Sequence, residues 1–257
     1  MTAQRRAGPR GKGIGVTRIG IYGSLGRMGQ AIVAAMPALD AVHAGGVDAG
    51  EDPAGLAREC DVLVDFSAPG ALEAHLAAAR AVGTPIVVGT TGLSASHHAM
   101  IDAATAEIGV LQTGNTSVGL GMLLALVRDA AARLGPDWDI EIAEMHHREK
   151  VDAPSGTALM LGEAAAAGRG STLADLGVVG RAGLTGARAR DTIGFASMRG
   201  GTVVGDHVVI LAGDGERLEL AHRAEDRAIF ARGAVRAALW LARQPPGRYT
   251  MDQVLGL

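Results

Sequence analysis

Immediately after the first run able to form a β-strand, Ile19 to Tyr22, the chain reads Gly23-Ser24-Leu25-Gly26-Arg27-Met28-Gly29 and then turns alanine-rich and helical. A strand that feeds a helix through three glycines is a local commitment to a parallel β-α-β unit, because each glycine answers a separate steric demand. Gly23 permits the tight turn, Gly26 lets backbone approach a pyrophosphate with no Cβ in the way, and Gly29 allows helix to pack closely on strand. The pattern that follows agrees. Short β-rich apolar runs at Val42 to Val47, Val62 to Phe66, Ile86 to Val88 and Gly109 to Thr113 alternate with helical stretches at Gln30 to Met36, Leu72 to Val82 and His97 to Glu107. This predicts a doubly wound parallel sheet.

The pattern then changes. A long apolar helix near Ser117 to Leu134 leads to an alternating strand, Asp139 to Glu144, a polar loop and a helix from about Ser155 to Ala167. Three strand-like runs follow, Thr192 to Arg199, Val203 to Ala212 and Arg217 to His222, joined by glycine turns such as Gly213-Asp214-Gly215, which predict a mostly antiparallel second sheet. A last helix, roughly Asp226 to Ala242, completes the first domain if the chain returns to it. The expected organisation is therefore residues 18–117 as a dinucleotide-binding domain, 118–226 as an α+β substrate and assembly domain, and 227–257 as a returning segment. Residues 1–17 carry Arg5, Arg6, Arg10 and Lys12 with no acid, broken by Gly and Pro, and read as a disordered basic extension, with a transit peptide as the alternative.

Composition narrows the function classes. A net charge of −3 and the absence of a lysine stripe interleaved with aromatics argue against nucleic acid. The longest apolar run, Val118 to Val127, is about half of a membrane span. One cysteine, Cys60, allows no internal disulfide and fits a reducing compartment, so a cytoplasmic enzyme of small molecules is expected.

The second run ends at Asp48, nineteen residues after Gly29, where a carboxylate can accept hydrogen bonds from ribose hydroxyls; capping of the next helix is the other reading. Likewise the glycine turn itself can be purely structural. Gly89-Thr90-Thr91-Gly92 and Gly114-Asn115-Thr116 follow the fourth and fifth strands and fall at the carboxyl edge of the sheet, the expected side of the nicotinamide.

The densest chemistry lies in Glu144-Met145-His146-His147-Arg148-Glu149-Lys150-Val151-Asp152-Ala153-Pro154-Ser155-Gly156-Thr157. His146 and Lys150 are candidate proton donors, since imidazole titrates near neutrality and an ammonium carries a transferable proton. Zinc is the rival reading, but further ligands at suitable spacing are lacking, so no metal is expected; a plain polar loop is the other. Ser155 is a good helix N-cap, which leaves Gly156 and Thr157 with backbone N–H groups for an anion. With His147 and Lys150 adjacent, the expected ligand is a dicarboxylate, against the plainer alternative of an ordinary capped helix.

This loop resembles, throughout, the E-x-H-H-x-x-K-x-D-A-P-S-G-T signature of the 4-hydroxy-tetrahydrodipicolinate reductase family. The resemblance extends to Gly23 to Gly29, Asp65-Phe66-Ser67, Gly89 to Gly92, Asn115 with Ser117-Val118-Gly119, Ile193 to Ala196, Arg199-Gly200-Gly201 and Phe230 to Ala234, and covers the chain from about Arg18 onward. It implies hydride transfer from NADH or NADPH to C4 of a dihydrodipicolinate ring formed by loss of water, giving tetrahydrodipicolinate in lysine and diaminopimelate biosynthesis. By the same carry-over His146 is the proton donor or acceptor, Lys150 a proton donor, and His147, Gly156 and Thr157 are substrate contacts. Cofactor contacts fall on Gly23, Ser24, Leu25, Gly26, Arg27, Met28, Asp48, Gly89, Thr90, Thr91, Thr113, Gly114, Asn115 and Thr116, and the assembly is a homotetramer through the second sheet. Two positions depart: Thr116 stands where many relatives carry an aromatic or large apolar residue, and Ala49 where many carry a base that can meet a 2′-phosphate. With Asp48 before it, Ala49 tilts the expected preference toward NADH. Two rivals remain on sequence grounds, a dehydrogenase of another small amino or keto acid and a silent nucleotide-sensing module. The histidine and lysine cluster disfavours both.

Overall fold

The computed structural model describes residues 16–257. Of the predicted basic extension, residues 1–15 lie outside the described residues, and Thr17, placed in it, is the first residue of a strand.

The first half alternates β1 (Thr17–Tyr22), α1 (Arg27–Ala35), β2 (Ala41–Val47), α2 (Pro53–Glu59), β3 (Val62–Asp65), α3 (Leu72–Val82), β4 (Ile86–Val88), α4 (Ala95–Ala104) and β5 (Gly109–Gln112). The second runs α5 (Val118–Leu134), β6 (Asp139–His146), α6 (Gly156–Gly168), α7 (Leu173–Leu176), β7 (Gly177–Val179), β8 (Ile193–Arg199), β9 (Gly205–Gly213), β10 (Glu216–Ala224), α8 (Ala228–Leu241), β11 (Gly247–Tyr249) and α9 (Met251–Leu255).

The first sheet has the order β11-β5-β4-β3-β1-β2 with every pair parallel. All four residues of β3 are buried, as a central strand covered on both faces must be. One face packs Ile19, Ile21, Val64 and Val87 against α1 and α8, and the other packs Leu63, Ile86, Val88 and Val110 against α3 and α4. Thus α8, near the end of the chain, covers the sheet built by its beginning, and β11 extends that sheet beyond β5. Short elements escaped the sequence reading: α2 has seven residues behind an Asp52 cap, and β11 only three.

The second sheet is mixed, in the order β10-β9-β6-β8-β7. The three runs predicted as an antiparallel set are not consecutive neighbours. β9 and β10 do form a hairpin, with Gly215 at φ +79° in the turn, but β6 is inserted between β8 and β9, antiparallel to β9 and parallel to β8. Residues 200–204 therefore carry the chain past the end of β6 rather than through a tight turn. The inward row of β6, Ile140 and Ile142, packs with Val209 and Leu211 of β9 and with Leu120, Val127, Ala158 and Leu161 of α5 and α6.

Helix α8 is held close by a glycine. A Cβ built on Gly233 would lie 1.8 Å from the carbonyl oxygen of Thr116, at the entry to α5, and the Thr116 hydroxyl donates to the Phe230 carbonyl at 2.6 Å. Gly233→Ala is expected to force these backbones apart at a cost of about 1–3 kcal/mol or more, the usual range for overpacking. A melting temperature several degrees lower checks it, and an unchanged one would show that α8 is free to shift.

Candidate active site

The glycine turn has the geometry of an anion cradle. Gly23 adopts φ +83°, and a Cβ on Gly29 would sit 2.3 Å from the Gly23 carbonyl, so a side chain is excluded at both positions. α1 begins after Gly26 with no side-chain cap, which leaves first-turn N–H groups for a ligand. Asp48 closes the turn from the end of β2, accepting from the Ser24 hydroxyl at 2.6 Å and from the Leu25 N–H at 3.1 Å, while its own N–H donates to Glu51 at 2.8 Å. These features fit a dinucleotide pyrophosphate and its ribose. Of the turn residues named above, Leu25 is largely exposed and Met28 packs against the core.

A cavity of about 1100 Å³ lies between the carboxyl edge of the first sheet and the second half of the chain. Thr90, Thr91, Thr113, Gly114 and Asn115 line it from one side, and His146, Lys150, Ser155, Gly156 and Thr157 from the other. Asn115 spans the two, its side-chain amide donating to the Thr157 hydroxyl at 3.2 Å. Behind the first wall the buried carboxylate of Asp65, at the end of β3, meets Thr90 Oγ1 at 3.1 Å, the Ser67 hydroxyl at 2.6 Å and His75 Nδ1 at 2.9 Å. His75 in turn stacks on Tyr22 with ring centres 4.0 Å apart.

The second wall is organised by another buried acid. Strand periodicity puts Glu144 and His146 on the same inward face of β6, and His146 Nδ1 meets Glu144 Oε2 at 2.5 Å. Arg199, opposite His146 in register on β8, donates to both Glu144 oxygens at 2.9 and 3.0 Å and to the Asp152 carbonyl at 2.6 Å. Burial pushes the Glu144 carboxyl up, but hydrogen bonds from Ser197, His146 and Arg199 outweigh it and hold the pKa below the usual carboxylate range. Lys150 pairs with Asp152 at 2.8 Å, and this contact, against a smaller effect of burial, holds Asp152 below its ordinary value. Ser155 caps α6, accepting from the Ala158 N–H at 3.1 Å, so Gly156 and Thr157 form its first turn.

Three residues named from the sequence fall elsewhere. Thr116 does not line the cavity: its hydroxyl donates to the Phe230 carbonyl and its own carbonyl meets the close approach of α8, so its side chain ties the entry of α5 to α8. His147 is half-buried outside the cavity wall and contributes its carbonyl, which accepts from the Lys150 N–H at 3.1 Å. Gly89 also stands back, with a Cβ there 2.2 Å from the Phe66 ring, so this glycine serves close packing. Among the described residues no group of three or more His, Cys, Asp and Glu could hold a metal ion, and no helix is long and apolar enough to cross a membrane.

Two family models match nearly the whole described chain: "Dihydrodipicolinate reductase, N-terminus" over residues 17–116 and "Dihydrodipicolinate reductase, C-terminus" over residues 119–255. The chain belongs to the dihydrodipicolinate reductase family. The 4-hydroxy-tetrahydrodipicolinate reductase of Zymomonas mobilis is 52% identical over 247 residues, covering 93% of this chain and 97% of the relative. That of Rhodopseudomonas palustris BisB18 is 50% identical over 264 residues, again 93% and 97%. Among solved structures, the dipicolinate-bound dihydrodipicolinate reductase of Paenisporosarcina sp. TG-14 superposes with a TM-score of 0.70 at 21% identity over 91% of this chain and 97% of that one, a likeness of fold.

In this member of the dihydrodipicolinate reductase family several side chains at the site carried no separable sequence signal. Gln112, Met160, Glu163, Thr250 and Asp252 line the cavity, and His207 stands behind it. Glu144 was legible in principle: continuing the period of two by two residues places it beside His146.

His207 generates a pH expectation. Burial first, and then the nearby His146, depress its pKa from 6.5 to about 4, so it is neutral in the folded chain at pH 7. Between about pH 6.5 and 4 the unfolded chain binds this proton and the folded one does not, so the His207 contribution to stability is full above that window and is lost on acidification through it, on the order of 3 kcal/mol at most. Melting temperatures should fall across this window, and His207→Phe should flatten part of the fall. An identical slope in the variant would show that the histidine titrates normally.

Proposed function

We propose that the chain catalyses the NADH- or NADPH-dependent reduction of 4-hydroxy-tetrahydrodipicolinate to tetrahydrodipicolinate with loss of water, a step of lysine and diaminopimelate biosynthesis. The reading is carried by one observation: proton donors and a helix N-terminus share a cavity with the loops at the carboxyl edge of a dinucleotide-type sheet. It divides the chain into a dinucleotide-binding part, residues 18–117 with 227–257, and a substrate and assembly part, residues 118–226.

Gly23, Ser24, Gly26 and Arg27 would hold the pyrophosphate and Asp48 the ribose, with Thr90, Thr91, Thr113, Gly114 and Asn115 toward the nicotinamide. Bound there, the dinucleotide supplies a hydride. The chain's own residues do the rest. One substrate carboxylate accepts from the N–H groups of Gly156 and Thr157, aided by the dipole of α6, and Lys150 attracts the other. Lys150, tethered by Asp152, delivers the proton that balances the hydride. His146, its Nδ1 occupied by Glu144, presents Nε2 for proton exchange with the substrate. The exposed Met198, which pairs with Met145 on the outward row of β6, supports assembly through the outward face of the second sheet into a homotetramer.

The direct test follows NADH oxidation optically while a synthase generates the substrate in place; turnover with neither cofactor sinks the reading. Lys150→Ala should lower kcat by about 10²–10⁴, the range for a general acid, and leave NADH affinity within about twofold. Retained turnover with lost NADH affinity would remove the assigned role.

The cofactor tilt follows from charge. Asp48, with Glu51 bonded to its N–H, sets two carboxylates at the ribose end, and Ala49 offers no cation to a 2′-phosphate. NADH should be favoured by about five- to thirtyfold in kcat/KM, and Ala49→Arg should shift the ratio toward NADPH. A strong native preference for NADPH would show that Arg27 or another base dominates.

A further inference from the structure

β9 turns Gly205, His207, Val209 and Leu211 inward. Two of these are the aliphatics a core strand calls for; His207 is not, yet it is 3% exposed. Its Nε2 lies 3.0 Å from the Ser155 hydroxyl, its ring stands edge-on to His146 with centres 5.1 Å apart and planes at 76°, and its Nδ1 has no hydrogen-bond partner among the described residues.

The hydroxyl decides the direction of the bond. Ser155 Oγ already accepts from the Ala158 N–H, so its own hydrogen needs an acceptor, and the His207 Nε2 is in reach. With that tautomer a single group, the Nδ1–H, is unmet. The opposite tautomer leaves two unmet, the serine hydrogen and the Nδ1 lone pair. A buried unpaired N–H is a standing cost that phenylalanine or leucine would remove, so the histidine is retained for the bond it does make.

We propose that His207 is a positioning residue: by accepting from Ser155 it fixes the cap of α6, and so the aim of the Gly156 and Thr157 N–H groups, while its ring edge supports His146. It touches neither substrate nor reacting atoms. The inference rests on the reading that the α6 N-terminus binds a substrate carboxylate.

The test compares His207→Phe, His207→Gln and Ser155→Ala at neutral pH, using inhibition by pyridine-2,6-dicarboxylate, the substrate KM and kcat, and NADH binding. His207→Phe keeps the ring volume and removes the acceptor. It should raise the inhibition constant and KM together by about five- to tenfold, the loss of one buried hydrogen bond, with a smaller change in kcat and none in NADH affinity. Glutamine, whose amide oxygen can accept from Ser155, should recover most of the loss, which a purely packing role would not allow. The double variant with Ser155→Ala should be no worse than Ser155→Ala alone. If Ser155→Ala leaves inhibition unchanged, the carboxylate reading of α6 fails. If Ser155→Ala weakens inhibition and His207→Phe does not, or if glutamine is as poor as phenylalanine, the role given to His207 is overturned while the α6 reading stands. Should the phenylalanine variant not fold, His207→Asn, too short to reach Ser155, takes its place.

Discussion

A carboxylate removed from water must find donors, and the second half of the site is arranged around the one on Glu144. Three groups converge on it: the imidazole of His146, the guanidinium of Arg199 and the hydroxyl of Ser197. The first is the proposed proton-exchange group. The second also holds the Asp152 carbonyl, and so anchors the loop that carries Lys150 and leads to Ser155. Losing the acid would strand a half-buried arginine and a buried histidine at once, a larger penalty than losing a surface ion pair. One side chain thus sets the orientation of His146 and the course of the loop beside it.

Asp65 does the corresponding work on the opposite wall. Buried at the end of β3, it fixes Thr90, Ser67 and His75, and Thr90 faces the cavity. Between the walls the contacts are few and specific: Asn115 to Thr157 across the cavity, and Thr116 to Phe230 behind it. The close approach of α8 at Gly233 explains how a chain that leaves the first sheet at β5 can return after β10 to cover it. The cavity then sits where the carboxyl ends of parallel strands meet a second layer, the position at which open α/β sheets bind ligands.

Local signals were legible in the sequence and distant ones were not. The glycine turn, the alternation of strands and helices and the polar run from Glu144 to Thr157 are read from neighbours, and β1 to β5 of the first sheet fall within one or two residues of their predicted bounds, whereas the short β11 gave no such signal. The insertion of β6 between β8 and β9 could not be read, because register between strands is decided by pairing across tens of residues rather than by any one of them. The same holds for Ser155 and His207, fifty-two positions apart, and for Thr250 and Asp252 at the cavity. The partner of the Thr116 hydroxyl was hidden for a related reason. A loop at the carboxyl edge ordinarily faces the ligand, and only the return of α8, 114 residues later, supplies the carbonyl that takes its hydroxyl.

Two histidines of the same wall show how environment rather than residue type assigns a role. His146 and His207 are 5.1 Å apart between ring centres and both are buried. His146 faces the Glu144 carboxylate, a counter-ion for an imidazolium, and its ring borders the cavity. His207 faces a serine hydroxyl and sits deeper; burial holds it neutral, with the cation of a protonated His146 acting in the same direction. Two adjacent imidazoles that both took up protons would repel each other in a medium that screens poorly. With His207 held uncharged that repulsion does not arise, and its neutral ring can accept from Ser155 where a cation could only donate.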